Sequence, residues 1–178
     1  MLITERLLPI DKHTRSAIQL ESVQGVVLHW PAAPGWTADR VRDYFASFPA
    51  ADPGRFASYH YVVGLEGEIV RMIPEDECAW HAGPSKQTDP EIERRLGGKP
   101  NWRTIGICMA HPDQSGAHLR ATWRSAAMLA ASILKRHHVE RTDTILRHHD
   151  CTGKRCPAWM VDYPADWAEF VQDVRARL

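Results

Sequence analysis

A chain of 178 residues, 44% hydrophobic and 25% charged, is long enough to bury a proper core and is most simply read as one domain. Lys+Arg and Asp+Glu balance at 22 each, so no global field draws the protein to a polyanion, and nucleic acid is not expected as the main partner. No apolar run approaches the length needed to span a bilayer. The first residues, Met1-Leu2-Ile3-Thr4-Glu5-Arg6-Leu7, carry charge inside their apolar portion and do not read as a signal peptide. Synthesis in the cytoplasm follows as the expectation. Four cysteines, Cys78, Cys108, Cys151 and Cys156, are too few for a disulfide scaffold and are expected as thiols.

Residues 1–20 show weak periodicity and suit a peripheral arm or a short edge element. Val26-Val27-Leu28-His29-Trp30 is continuous, β-branched and apolar, which predicts a buried strand ending in a histidine. Thr37 can cap a helix whose apolar face is Val41, Tyr44, Phe45 and Phe48; Pro49 and the turn Asp52-Pro53-Gly54 are expected to end it. The runs 59–64 and 68–73 flank Leu65-Glu66-Gly67 and predict a hairpin, with Gly67 supplying positive φ.

Residues 74–103, punctuated by Pro74, Pro84, Pro90 and Gly97-Gly98-Lys99-Pro100, predict a long loop forming a substrate-facing wall. Another buried strand is expected over 104–109. The alanine-rich stretch 119–138 predicts the longest helix, with Trp123, Ala127, Ala130 and Leu134 on one face. A strand follows over 144–147. Pro164 then opens an amphipathic C-terminal helix carrying Trp167, Phe170, Val171, Val174 and Leu178. The sum is an α/β fold: a single domain with a central mixed β-sheet flanked by helices.

The chemistry concentrates in Leu146-Arg147-His148-His149-Asp150-Cys151-Thr152-Gly153-Lys154-Arg155-Cys156-Pro157. Catalytic zinc sites use three protein ligands and keep one position open. His29 and His148 each stand at a predicted strand end, and Cys156 lies across a turn from His148, a donor set softer than calcium or magnesium prefers. Adjacent side chains on a strand point to opposite faces, so His148 and His149 cannot both ligate from extended backbone. The other histidine would anchor the turn or donate to Asp150. Asp150 is the candidate carboxylate for orienting a ligand imidazole. Read alone, His29 is more simply a satisfied strand-end histidine. The combination with His148, Cys156 and Lys154 is what points to a metal.

Val27-Leu28-His29, Tyr59-His60-Tyr61 followed by Leu65-Glu66-Gly67, Trp80-His81-Ala82-Gly83, Ile105-Gly106-Ile107 and the segment His148 to Pro157 occur in that order. In these motifs the chain resembles the zinc-dependent N-acetylmuramoyl-L-alanine amidases of type 2, in the peptidoglycan recognition protein superfamily, and above all their phage endolysins. The resemblance spans about residues 22–160, with a C-terminal helix over 164–178 completing one catalytic domain. It implies Zn2+ held by His29, His148 and Cys156, catalytic roles for Tyr59 and Lys154, and a groove that binds peptidoglycan. His60, Trp80 and His81 are placed as substrate-contacting residues, with packing or a backbone hydrogen bond as the alternative for the two histidines.

Hydrolysis of the amide between N-acetylmuramic acid and L-alanine, and lysis of the wall after holin- or lysis-dependent release, are the implied activity and setting. Relatives that recycle soluble anhydro-muropeptides usually carry aspartate at the third ligand position, and receptor members lose the cysteine. Cys156 therefore favours the lytic branch. Two departures stand out: Glu66-Gly67 replaces the more usual Asp-Gly, and Cys151 occupies a position the family tends to make apolar, where it is expected to pack as a small hydrophobe.

Overall fold

In the computed structural model, residues 1–52, 54–83 and 88–178 are described, without the side chains of 49 and 50. The strands are β1 (Ile3–Glu5), β2 (Arg15–Gln19), β3 (Gly25–His29), β4 (Tyr61–Val63), β5 (Ile69–Arg71), β6 (Glu77–Ala79), β7 (Thr104–Met109) and β8 (Ile145–Arg147). The helices are α1 (Ala38–Ala51), α2 (Pro90–Leu96), α3 (Pro100–Arg103), α4 (Arg120–Arg136), α5 (His148–Thr152), α6 (Ala158–Asp162) and α7 (Pro164–Arg175). Six strands form a mixed sheet in the order β1-β5-β4-β7-β3-β8, and β2 pairs with β6 in a separate ribbon. β4, β7, β3 and β8 are mutually parallel, and β5 runs antiparallel to β4.

Register decides which side chains share a face. On one face Val26, Leu28, Ile105, Ile107 and Ile145 pack under α4 and α7, with Phe170 and Val174 of α7 fully buried among them. The other face carries two smaller clusters. Val41, Phe45 and Phe48 of α1 lie over Val62, Val70 and Cys108, while Ile92 and Leu96 of α2 and Cys151 of α5 lie over Val27 and Leu146. Between those two clusters the sheet presents His29 and Gly106 instead of aliphatic side chains.

Several expectations change in detail. The arm over residues 1–20 contributes β1, pairing in parallel with β5, and β2 of the ribbon. Helix α1 has Thr37 as its cap, Oγ1 accepting from Arg40 N–H at 3.2 Å, but it continues through Pro49 to Ala51; Asp52 N–H still bonds Phe48 O at 2.9 Å. Pro53 of the expected turn and Pro84 of the expected loop lie outside the described residues. The stretch 74–103 is not a bare loop. It holds β6, α2 and α3, because Asp89 caps α2 through Glu91 N–H at 2.8 Å, Pro90 opens it, and Ile92 and Leu96 give it an apolar side to bury. The hairpin forms as expected, with Gly67 at φ +84. The short helices α5 and α6 were not expected from periodicity; five residues are too few to show any.

Candidate metal centre

His29 closes β3, and its side chain is wholly buried. β8 lies beside β3 with Arg147 level with Leu28, so the next residue, His148, falls beside His29 just past the carboxyl ends of both strands. The two rings meet edge to face with centroids 5.0 Å apart. From His148 the chain turns once as α5 and doubles back: Gly153 N–H bonds His149 O at 2.7 Å, and His149 N–H bonds Cys156 O at 3.0 Å. This return carries the Cys156 thiol to His29, with Sγ 3.8 Å from Nδ1. One ligand atom from each of His29, His148 and Cys156 lies within 4.8 Å of the others, all three residues being buried.

These donors fit a tetrahedral metal. Bonds of about 2.3 Å to sulfur and 2.0–2.1 Å to nitrogen put the two atoms about 3.6 Å apart, close to the observed separation. Burial pushes the Cys156 thiol up to about 11, although Trp30 N–H and Lys154 act in the opposite sense. Burial, and then Lys154, lowers His148 to about 4; burial holds His29 well below its ordinary value, with His148, His81 and Lys154 adding to the effect. The imidazoles are thus ready to ligate, and the thiol proton is what a cation must displace.

The adjacent histidines part for a reason other than strand alternation. Both sit in the first turn of a helix, where His148 points inward while the His149 side chain stays 40% exposed. His149 anchors the turn through its backbone N–H; its Nδ1 lies 3.8 Å from Asp150, outside hydrogen-bond range. Asp150 is not the carboxylate that orients a ligand. It accepts from Arg147 N–H at 2.7 Å and from the Arg147 guanidinium at 2.6 Å, capping α5. Cys151 packs beneath α2, as expected.

The imidazole partner that sequence reasoning assigned to Asp150 is His81. Its Nδ1 lies 3.1 Å from His29 Nε2. His81 is 4% exposed and also borders the groove beside the site. Gly106 makes room for it, since a Cβ there would stand 2.7 Å from His81 Cγ. A glycine between two isoleucines in a strand was the available signal of such a close approach. His60 is different from the substrate-contacting residue expected. It is wholly buried and does not line the groove; Nδ1 accepts from Gly106 N–H and Nε2 donates to Glu77 O, both at 2.9 Å, so its ring is spent on the backbone.

A groove of about 550 Å³ opens beside this cluster, with His148, Tyr59 and Lys154 on its walls. Tyr59 is partly buried against Phe45 and the His29 ring, centroids 5.2 and 4.9 Å away, and burial holds its hydroxyl well above its ordinary pKa. Trp80, fixed by Nε1 donating to Lys12 O at 2.9 Å, and Trp102 form an aromatic wall with ring centroids 6.4 Å apart. Among the described lining residues the charged groups are Arg55, Lys99 and Lys154, with no carboxylate. A larger hollow of about 860 Å³ beside α2, α5 and α7 contains Asp150 but none of the three ligands.

The fold is shared with solved structures. An endolysin from Bacillus subtilis, solved as a mutant, aligns over 97% of this chain and 98% of its own with a TM-score of 0.72 at 21% identity. PlyL aligns over 98% and 97% with a TM-score of 0.76 at 18% identity. The architecture is therefore the α/β fold of those structures. Residues 19–159 match the family described as N-acetylmuramoyl-L-alanine amidase, and the chain belongs to that family.

N-acetylmuramoyl-L-alanine amidase CwlL of Bacillus licheniformis is 32% identical over 161 residues, 90% of this chain and 43% of that protein. N-acetylmuramoyl-L-alanine amidase BlyA of Bacillus subtilis (strain 168) is 30% identical over 182 residues, 99% of this chain and 48% of that protein. The chain spans less than half the length of these curated relatives.

Proposed function

We propose that residues 1–178 act as a zinc-dependent catalytic domain that hydrolyses the amide between N-acetylmuramic acid and L-alanine of peptidoglycan, and so degrades cell wall. The observation that carries this reading is the meeting of His29, His148 and Cys156, with His148 lining a groove, in a chain of the amidase family. The donor set favours zinc among biological cations, as two imidazoles and a thiolate suit a borderline-soft ion. When bound, zinc supplies Lewis acidity that polarises an amide carbonyl and makes water more acidic.

The chain's own groups do the rest. Lys154, on the groove wall and close enough to lower the pKa of both histidine ligands, supplies the positive charge that stabilises an oxyanion developing on the scissile carbonyl. The Tyr59 hydroxyl, kept protonated by burial, donates a hydrogen bond toward the same oxygen or toward the leaving amine. Trp80 and Trp102 offer apolar faces to sugar or peptide. The cations Arg55, Lys99 and Lys154 suit a stem peptide with free carboxylates; Lys99 also pairs with Glu93. The groove's position beside the metal ligands supports a polymer substrate threading past them.

The test is release of L-alanine amino termini from purified sacculi, with and without a chelator. Loss of activity on complete zinc removal and its return on adding zinc are expected, and Cys156→Ser should lose turnover by about a thousandfold or more. Full activity in the zinc-free protein would defeat the metal mechanism. Preference for soluble anhydro-muropeptides over sacculi would move the enzyme to a recycling role.

A further inference from the structure

The geometry points to His81 as the positioning residue for His29: it accepts a hydrogen bond from His29 Nε2–H and so leaves Nδ1 as the lone pair that faces the metal. This rests on the zinc reading above and adds to it a residue outside the ligand set.

The direction of every bond in this chain follows from one end of it. His81 Nε2 faces the backbone carbonyl of Thr104 at 3.3 Å, and a carbonyl only accepts. The Thr104 hydroxyl, 3.4 Å from the same nitrogen, spends its proton on Pro100 O at 2.7 Å and can likewise only accept. His81 Nε2 therefore carries the hydrogen. In a neutral imidazole the other nitrogen, Nδ1, is then an acceptor, and its neighbour at 3.1 Å is His29 Nε2. His29 must donate there, so its Nδ1 has no hydrogen. That is the atom turned toward the Cys156 thiol. A backbone carbonyl on β7 thus fixes, through two rings, which nitrogen of a ligand on β3 can bind a cation.

The backbone that carries His81 is anchored as well. Asn101 Oδ1 accepts from His81 N–H at 3.2 Å and from Ala82 N–H at 2.7 Å, while its Nδ2 donates to Gly83 O at 3.1 Å. The missing side chain at Gly106 leaves the slot the His81 ring occupies. The nearby groups that might share the task are committed elsewhere, His60 to Gly106 N–H and Glu77 O, and Asp150 to Arg147. Outer partners of this kind orient a metal-bound histidine and commonly change metal affinity or activity by about 10–100-fold when removed.

Two substitutions separate positioning from packing. His81→Phe keeps the ring volume but removes the acceptor; His81→Asn keeps a carbonyl oxygen about where Nδ1 stands but removes the ring. Zinc affinity is measured by competition with a chromophoric chelator, with thermal melts of the metal-free proteins alongside. His81→Phe should bind zinc about 10–100-fold more weakly, and His81→Asn should stay within a few-fold of wild type. Wild-type affinity in His81→Phe, or equal losses in both variants, would overturn the role.

Should His81→Phe fail to fold, long-range proton–nitrogen spectra of the zinc-loaded wild type decide the matter. The expected pattern for His29 is hydrogen on Nε2 and metal on Nδ1, and the reverse pattern sinks the inference. A wild-type chain that binds no zinc would instead defeat the metal reading itself, and the inference with it.

Discussion

The two faces of the six-stranded sheet are built from the same strands and answer to different demands. On the closed face, under α4 and α7, the inward residues of β3 and β7 are Val26, Leu28, Ile105, Ile107 and Met109, all apolar and buried. On the opposite, open face the covering helices divide, α1 to one side and α2 with α5 to the other, and His29 lies buried in the gap beside His148, which lines a groove. Volume and apolarity suffice on the closed face, so many sequences would satisfy it. Between the two apolar clusters of the open face, residues are specified by single groups: an imidazole at His29, a thiol at Cys156, no Cβ at Gly106. Alternation along a strand makes this division possible, since Leu28 and His29 are neighbours in sequence and belong to different problems.

If the faces are separable, damage to one should leave the other's property intact. Phe170→Ala empties a fully buried site under α7 and should cost about 3–5 kcal/mol of stability. Urea unfolding checks the loss, and the folded fraction should still bind one zinc per chain with wild-type affinity; a parallel loss of affinity would show the faces to be coupled. Lys154→Ala tests the converse. Lys154 is exposed on the groove wall, so its removal should leave the melting temperature and zinc content unchanged while turnover of sacculi falls about 10²–10³-fold. Wild-type turnover would remove Lys154 from the mechanism.

The closed face and its strands were legible in the sequence because apolar patterning reports burial: Val26 to His29 and 104–109 are continuous apolar runs, and the 119–138 helix shows an apolar face. The candidate set His29, His148 and Cys156, named from the motif around His148 and a strand-end histidine, is one the structure brings within 4.8 Å. What could not be read were features that depend on separate segments meeting. Asp150 looked like an orienting carboxylate from its position, yet its oxygens are taken by Arg147 three residues away, a local bond that a helical turn makes available. His60 and His81 looked alike, both histidines beside aromatic residues. Only the tertiary arrangement distinguishes a ring spent on Gly106 N–H from one turned to His29. The 74–103 stretch misled because its prolines punctuate two short helices as well as turns.

Gly106→Ala sharpens the contrast with smaller effects. A methyl there stands 2.7 Å from His81 Cγ and within 3.1 Å of Cδ2, so ring or strand must yield, at about 1–3 kcal/mol. The displaced ring should weaken zinc binding as well as stability, read by the chelator competition. Ile107→Val, the next residue but on the closed face, should cost about 0.5–1.5 kcal/mol and leave zinc affinity alone. Equal zinc affinity in the two variants would mean that the open face tolerates volume changes as the closed one does.

The last contrast is with acid. His60 stands on the open face with no exposure, and burial lowers its pKa from 6.5 to about 4. Protonation would put a hydrogen on Nδ1, where the ring accepts Gly106 N–H, so the folded chain resists it. Between pH 6.5 and 4 the unfolded chain binds more protons at this residue than the folded one. Its contribution is therefore whole above pH 6.5 and is lost as pH falls toward 4, by about 1.4 kcal/mol per pH unit. Other histidines, the partly buried His118 among them at about 4, add to the acid sensitivity of the wild type, so the measurement is a difference. His60→Gln should be less stable at pH 7 but lose less on acidification, and the gap between the two unfolding curves should narrow from pH 6.5 to 4. Parallel curves would show that His60 keeps its neutral ring without cost, and that this part of the open face is held by packing alone.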